Sequence, residues 1–109
     1  VGLGGELFLQ LMASHPDVDA IFFGNDDLAQ GALLEAMRCG IKIPEQVAIL
    51  GFNDLPASAH MVPRLSSINT PREAIGRRSA ELMLTLLAGN SVAKPVQDMG
   101  FELKIREST

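Results

Sequence analysis

Two apolar runs constrain this chain more than any other feature. Ala20-Ile21-Phe22-Phe23 leads into Gly24-Asn25-Asp26, and Val47-Ala48-Ile49-Leu50 leads into Gly51-Phe52-Asn53-Asp54. A short, wholly apolar run bounded by turn residues suits a strand buried on both faces of a parallel sheet. Between the runs, Leu28, Ala32, Leu33, Ala36 and Met37 recur at helical spacing, and Gly40 stands where a left-handed cap ends a helix. Strand, helix and strand in about thirty residues make a right-handed βαβ unit. The expected class is therefore α/β, with a parallel sheet between helical layers in a three-layer αβα arrangement.

The flanking segments extend that pattern. Leu7, Phe8, Leu11 and Met12 predict a helix over 4–14, stopped at His15-Pro16-Asp17. Ser66-Ser67-Ile68-Asn69 predicts a third strand after a loop or short helix over 55–65. In Thr70-Pro71-Arg72-Glu73, Thr70 is placed to cap the next helix, Pro71 to start it and Glu73 to complete a capping box. Ile75, Ser79, Leu82, Met83, Leu86 and Leu87 form its expected buried stripe, and Gly89-Asn90 end it. Phe101, Leu103 and Ile105 alternate with charged residues, as in a strand at a sheet edge or in a hairpin with 96–99.

Composition removes several function classes. The 109 residues make one domain's worth of chain, with hydrophobic residues at 47% and no Trp or Tyr, so the core is aliphatic. Net charge is −4 and the nine Lys and Arg are scattered, without the basic stripe a phosphate backbone requires. Cys39 is the only cysteine, which rules out a disulfide framework and suits a reducing cytoplasm. No apolar run approaches the roughly 20 residues of a membrane helix. The opening Val1-Gly2-Leu3-Gly4-Gly5 reads as the middle of a longer protein.

If the two strands are parallel, both Asn-Asp pairs open onto the carboxyl rim of the sheet, where ligands of open α/β sheets bind. Amide and carboxylate side chains there suit the hydroxyl groups of a sugar. For Asp26 or Asp27 the favoured reading is a helix N-cap rather than a ligand contact, since capping alone explains an Asp there. Asn25 and Asn53 lack such a duty and point toward ligand contact, whereas Asp54 fits either a ligand or the cap of a short helix near Leu55. Asp26, Asp27 and Asp54 together could hold Mg²⁺. No nucleophile or phosphate clamp accompanies them, so a binding module is expected rather than an enzyme.

These residues resemble a known family. Asp19 to Ala32, Ile43 to Asp54, Pro63 to Ile68 and Pro71 to Gly76 are similar to the signature segments of the lactose–galactose repressor family, and are closest to its gluconate-operon repressors. The resemblance implies a type I periplasmic-binding-protein-like fold with two α/β lobes around an effector. This chain would be an incomplete second lobe over 1–69 and 91–109, with 70–90 a crossover helix packing on a first lobe. It further implies sugar contacts from Asn25 and Asn53 and an effector-facing Arg72, beside which Asp54 and Asp26 remain candidates from their place at the rim. Asn53 stands where the family commonly has Asp, a departure that suits an acidic effector such as gluconate.

The resemblance also implies a homodimer through Leu28, Leu34, Met37 and Met61. DNA contact would come only through an amino-terminal helix-turn-helix domain outside these residues. The expected function is effector sensing and dimerisation in a cytoplasmic transcriptional regulator, a repressor by family habit, responding to a sugar or sugar acid, without cofactor or membrane partner. The alternative is a periplasmic sugar-binding protein of a transporter, which shares the fold.

Overall fold

The computed structural model describes residues 1–109. Its elements are α1 (Gly2–Ser14), β1 (Ala20–Phe22), α2 (Asp26–Cys39), β2 (Ala48–Phe52), a 3-10 turn (Pro56–His60), β3 (Ser66–Asn69), α3 (Arg72–Leu87) and β4 (Glu102–Lys104). The strands form one sheet in the order β1-β2-β3-β4. Both β1–β2 and β2–β3 are parallel, with Phe22 level with Leu50 and Phe52 level with Ile68. The expected βαβ unit is thus formed, and the α/β class holds.

The chain divides into two compact units, Val1–Asn69 with Leu103–Thr109, and Thr70–Glu102. In the first, Phe8 of α1 meets Ala29, Ala32, Leu33 and Ala36 of α2 and Val47, Ile49 and Leu65. Each large side chain among these contributes roughly 1.5–3 kcal/mol on burial. The two helices approach closely because glycine lines their contact. A Cβ on Gly4 would lie 2.0 Å from the backbone oxygen of Leu28. Gly40 ends α2 in the left-handed conformation, as expected (φ 71°), and donates to the Ala36 and Met37 carbonyls.

Helices cover only one face of the strands in this unit, so the expected third layer is not completed by these residues. Ala20, Phe22, Ala48 and Leu50 line the opposite face around a shallow cavity of about 370 Å³, and Phe22 is 60% exposed. The apolar run therefore reflects a two-sided requirement of which one side is met here. The tail is tied down instead by hydrogen bonds. Ile49 N donates to Ser108 O (2.8 Å), Ser108 Oγ to Ile49 O (2.6 Å) and Ser66 N to Ser108 Oγ (2.8 Å).

The second unit holds α3, which begins one residue later than the capping pattern predicts. Its N-cap is Pro71, with no side-chain cap, and no residue of α3 is buried. Thr70 supplies no side-chain cap; its backbone carbonyl accepts from Arg72 N (2.8 Å). Glu73 Oε1 is taken by Arg77 one turn on, at 3.0 Å. Most of the expected stripe is exposed, including Met83, Leu86 and Leu87, while Leu82 is half-buried. Residues 96–99 form no strand, so the expected hairpin is absent and β4 is simply the sheet edge. Arg78 Nε reaches Gln97 Oε1 (2.8 Å) and holds that segment to the helix.

Candidate ligand-binding rim

Because β1, β2 and β3 run the same way, the residues that follow them share the carboxyl edge of the sheet. Asn25 follows β1, Asn53 and Asp54 follow β2, and Asn69 ends β3. The Asn-Asp pairs thus lie at one edge, as the apolar runs require. Their individual roles differ from expectation.

Asn25, not Asp26, caps α2. Its backbone is extended and its Oδ1 accepts from Leu28 N at 2.9 Å. An amide oxygen three residues ahead of an unsatisfied N–H is well placed for this duty. The Nδ2 group of the amide has no partner in the chain. Asp26 is the first helical residue and is 0% exposed. Its Oδ2 accepts from Leu55 N (2.7 Å) and Ser58 Oγ (2.5 Å), and its Oδ1 from Ser67 Oγ (2.5 Å). Asp26 is therefore withdrawn from the rim as a ligand contact, since burial and these donors occupy it.

Asn53 and Asp54 both adopt left-handed backbone conformations, with φ of 95° and 50°. Asn and Asp tolerate this region better than other side chains, because their short polar groups bond locally. Asn53 N donates to Ile68 O (2.8 Å), while its side-chain amide makes no hydrogen bond within the chain. Asp54 does not cap the following turn, whose N-cap is Leu55 with no side-chain bond. Its carboxylate faces Arg106 Nη1 at 2.7 Å and accepts from Asn69 Nδ2 at 3.0 Å.

The Arg106 N–H is directed to Leu65 O (2.7 Å), and Asp54 Oδ1 has no aligned hydrogen bond, so charge holds that contact. Burial pushes the Asp54 carboxyl upward. Pairing with Arg106 and Asn69, with the positive charge of Lys104, outweighs it and leaves the group below its ordinary value. As a ligand contact Asp54 is thus already engaged.

The carboxylates do not converge on an ion. Asp26 is buried, Asp54 faces Arg106, and Asp27 points outward with its side chain 60% exposed. No group of three or more His, Cys, Asp or Glu is arranged to hold a metal. In the second unit, Arg72 lines an open groove with Thr70, Arg77 and Arg78. Arg77 and Arg78 are paired with Glu73 and Glu81, whereas Arg72 makes no ion pair.

Of the residues the resemblance places at a homodimer contact, Leu34 (45% exposed) and Met37 (56%) are uncovered. Met37 borders a second apolar cavity with Leu33, Ile41, Ile43, Val62 and Pro63. Leu28 and Met61 are half-buried and pack against the core, which accounts for them without a partner. Met37 in turn leaves the expected inner face of α2, where Ala29 and Gln30 are buried.

Sequence reasoning missed Ser67, Asn69 and Arg106. Asn69 had a readable signal, a polar residue ending a strand parallel to the other two. Arg106 had none, because it meets Asp54 only through the returning tail. No helix is long and apolar enough to cross a membrane.

Residues 3–109 match the model of the periplasmic binding protein-like domain. The chain is 70% identical over all its 109 residues to the HTH-type transcriptional regulator GntR of Pseudomonas aeruginosa, and spans 32% of that protein. It superposes on the crystal structure of the transcription regulator GntR from Chromobacterium violaceum with a TM-score of 0.87 and 42% identity, covering 97% of this chain and 39% of the other. A complex of the regulator CelR with cellobiose gives a TM-score of 0.87 at 33% identity, covering 97% and 32%. The chain therefore spans about a third of the length of these relatives. Their identity as regulators overturns the alternative of a transporter's sugar-binding protein. The chain belongs to the periplasmic binding protein-like domain family, in the branch whose members are transcriptional regulators of the GntR and LacI type.

Proposed function

We propose that this chain is the effector-sensing and dimerisation part of a DNA-binding repressor whose effector is a sugar acid such as gluconate. The observation that carries the reading is the charge state of the rim. Both carboxylates of the Asn-Asp pairs are engaged within the chain, Asp26 by three donors and Asp54 by Arg106. What remains for a ligand is amide: Nδ2 of Asn25 and the whole side chain of Asn53. Amides both donate to and accept from hydroxyls, and they do not repel a carboxylate as a free Asp would. Arg72, exposed and unpaired within the second unit, keeps the effector-facing role that the family resemblance implies for it.

In this reading 1–69 and 91–109 belong to one lobe of the sensor and 70–90 cross to the other, whose cover the exposed stripe of α3 awaits. DNA contact resides in a helix-turn-helix domain outside these residues, in keeping with the name of the Pseudomonas aeruginosa relative. Leu34 and Met37 contribute to an isologous homodimer contact, while Leu28 and Met61 pack against the core of the same unit. The protein works in the cytoplasm and carries out no chemistry. Its effector biases the DNA-competent dimer through unequal affinity for two lobe arrangements. A thermal-shift screen of the intact regulator against gluconate, related sugar acids and neutral sugars tests this. A shift with sugar acids is expected; a shift with neutral sugars alone refutes the acidic effector.

A further inference from the structure

The carboxylate of Asp26 is set into a notch in β2. A Cβ on Gly51 would lie 2.1 Å from Asp26 Oδ1, so any other residue at position 51 would displace it. Gly51 has no positive φ; its smallness makes room first for the Asp26 carboxylate and then for Leu65 Cδ2, which would lie 3.2 Å from an added Cβ. From the notch the carboxylate collects donors from separate segments: Leu55 N beyond β2, Ser58 Oγ in the 3-10 turn, and Ser67 Oγ in β3. Ser67 Oγ in turn accepts from Asp54 N (3.0 Å), and Gln30 Nε2 supports Ser58 Oγ from the next turn of α2 (3.1 Å). Asp26, Ser58 and Ser67 are all fully buried.

The left-handed pair Asn53-Asp54 lies between these anchors. Left-handed conformations at residues other than glycine persist only where their surroundings impose them. Here the backbone is held on both sides of the pair's carboxyl end, at Asp54 N through Ser67 and at Leu55 N directly. We infer that Asp26 is the positioning residue of the effector rim: without touching the ligand, it holds the turn that presents the Asn53 amide. This rests on the rim reading above, and makes effector affinity depend on a buried carboxylate in α2.

The test is gluconate titration calorimetry on the intact regulator, paired with amide hydrogen exchange, for the native protein, Asp26→Asn, Ser67→Ala and Asn53→Ala. Asp26→Asn keeps the shape but replaces an acceptor with an amine facing donors. It is expected to weaken gluconate binding at least tenfold and to speed exchange at the Asp54 and Leu55 amides, leaving Leu33 and Ile49 unchanged. Ser67→Ala, the milder change, should weaken binding several-fold with faster exchange at Asp54.

Native affinity in Asp26→Asn and Ser67→Ala, with Asn53→Ala impaired, overturns the proposal. So does exchange that rises evenly across Leu33, Ile49 and Leu55, which marks general destabilisation. If Asn53→Ala binds gluconate normally, the rim reading fails instead. Exchange at Asp54 and Leu55 then still decides whether Asp26 holds the turn.

Discussion

Asp54 and Arg106 join the end of β2 to the returning tail, with 2.7 Å between Oδ1 and Nη1 and little of either side chain exposed. This contact sets the charge of the rim and fastens the final residues to the sheet. Removing Arg106 leaves a nearly buried carboxylate without its cation. Arg106→Ala is expected to cost about 2–4 kcal/mol, in the range for breaking a buried pair, as read by urea denaturation.

The same pair predicts a pH dependence. The Asp54 carboxyl lies below its ordinary 3.8 in the folded state. The folded protein therefore holds this proton less tightly than the unfolded chain. The pair's contribution is complete above the unfolded value and fades as pH falls through the folded one. Asp54→Asn should be less stable than the native protein at pH 7, and the gap should begin to narrow as pH falls below about 3.8 and close only once pH has fallen through the lower folded value, where both species carry a neutral group. Denaturation curves at a series of pH values check this; a gap that widens on acidification contradicts it.

Close approach of α1 and α2 gives a second stability test. Replacing a helical glycine with alanine ordinarily gains up to about 1 kcal/mol. At Gly4 the added methyl would meet the Leu28 backbone oxygen at 2.0 Å, and backbone cannot swing aside. Gly4→Ala should instead destabilise by about 1–3 kcal/mol, as overpacking does. Thermal unfolding decides the sign.

The dimer proposal makes its own prediction. Leu34 and Met37 are exposed while Leu28 and Met61 already pack on the core. Charged replacements at the exposed pair, Leu34→Glu with Met37→Glu, should shift the intact regulator toward monomer in analytical ultracentrifugation with its fold retained. An unchanged dimer would move the contact elsewhere.

Asn25 allows capping and binding to be separated. Serine can supply the cap oxygen but not the Nδ2 donor, and serine and asparagine are comparable caps. Asn25→Ser is expected to stay within about 0.5 kcal/mol of native stability and to weaken gluconate binding about tenfold or more, on the scale of a lost ligand hydrogen bond.

Much of this architecture is legible in the sequence because its signals are local. The apolar runs at 20–23 and 47–50 and the glycine at 40 mark the βαβ unit directly, and β3 follows from 66–69. The roles within the Asn-Asp pairs are not legible, because they depend on partners far along the chain. Nothing near Asp26 announces Ser58 or Ser67, and nothing near Asp54 announces Arg106. The cap pattern at 70–73 fails for a similar reason: Arg77 competes for Glu73, and the turn at Thr70 is closed by backbone. Periodicity in α3 marks an apolar stripe but cannot say what covers it, and within its own unit no residue of the helix is buried.

The central claim is that a rim of amides, cleared of free carboxylates, faces an acidic effector. Restoring a carboxylate at Asn53 tests it most directly, by titrating the intact regulator and its Asn53→Asp variant with gluconate at pH 7. A negative charge facing the effector's own should weaken binding by at least about tenfold, since like charges in contact cost kilocalories. Equal or tighter binding by Asn53→Asp would contradict the account.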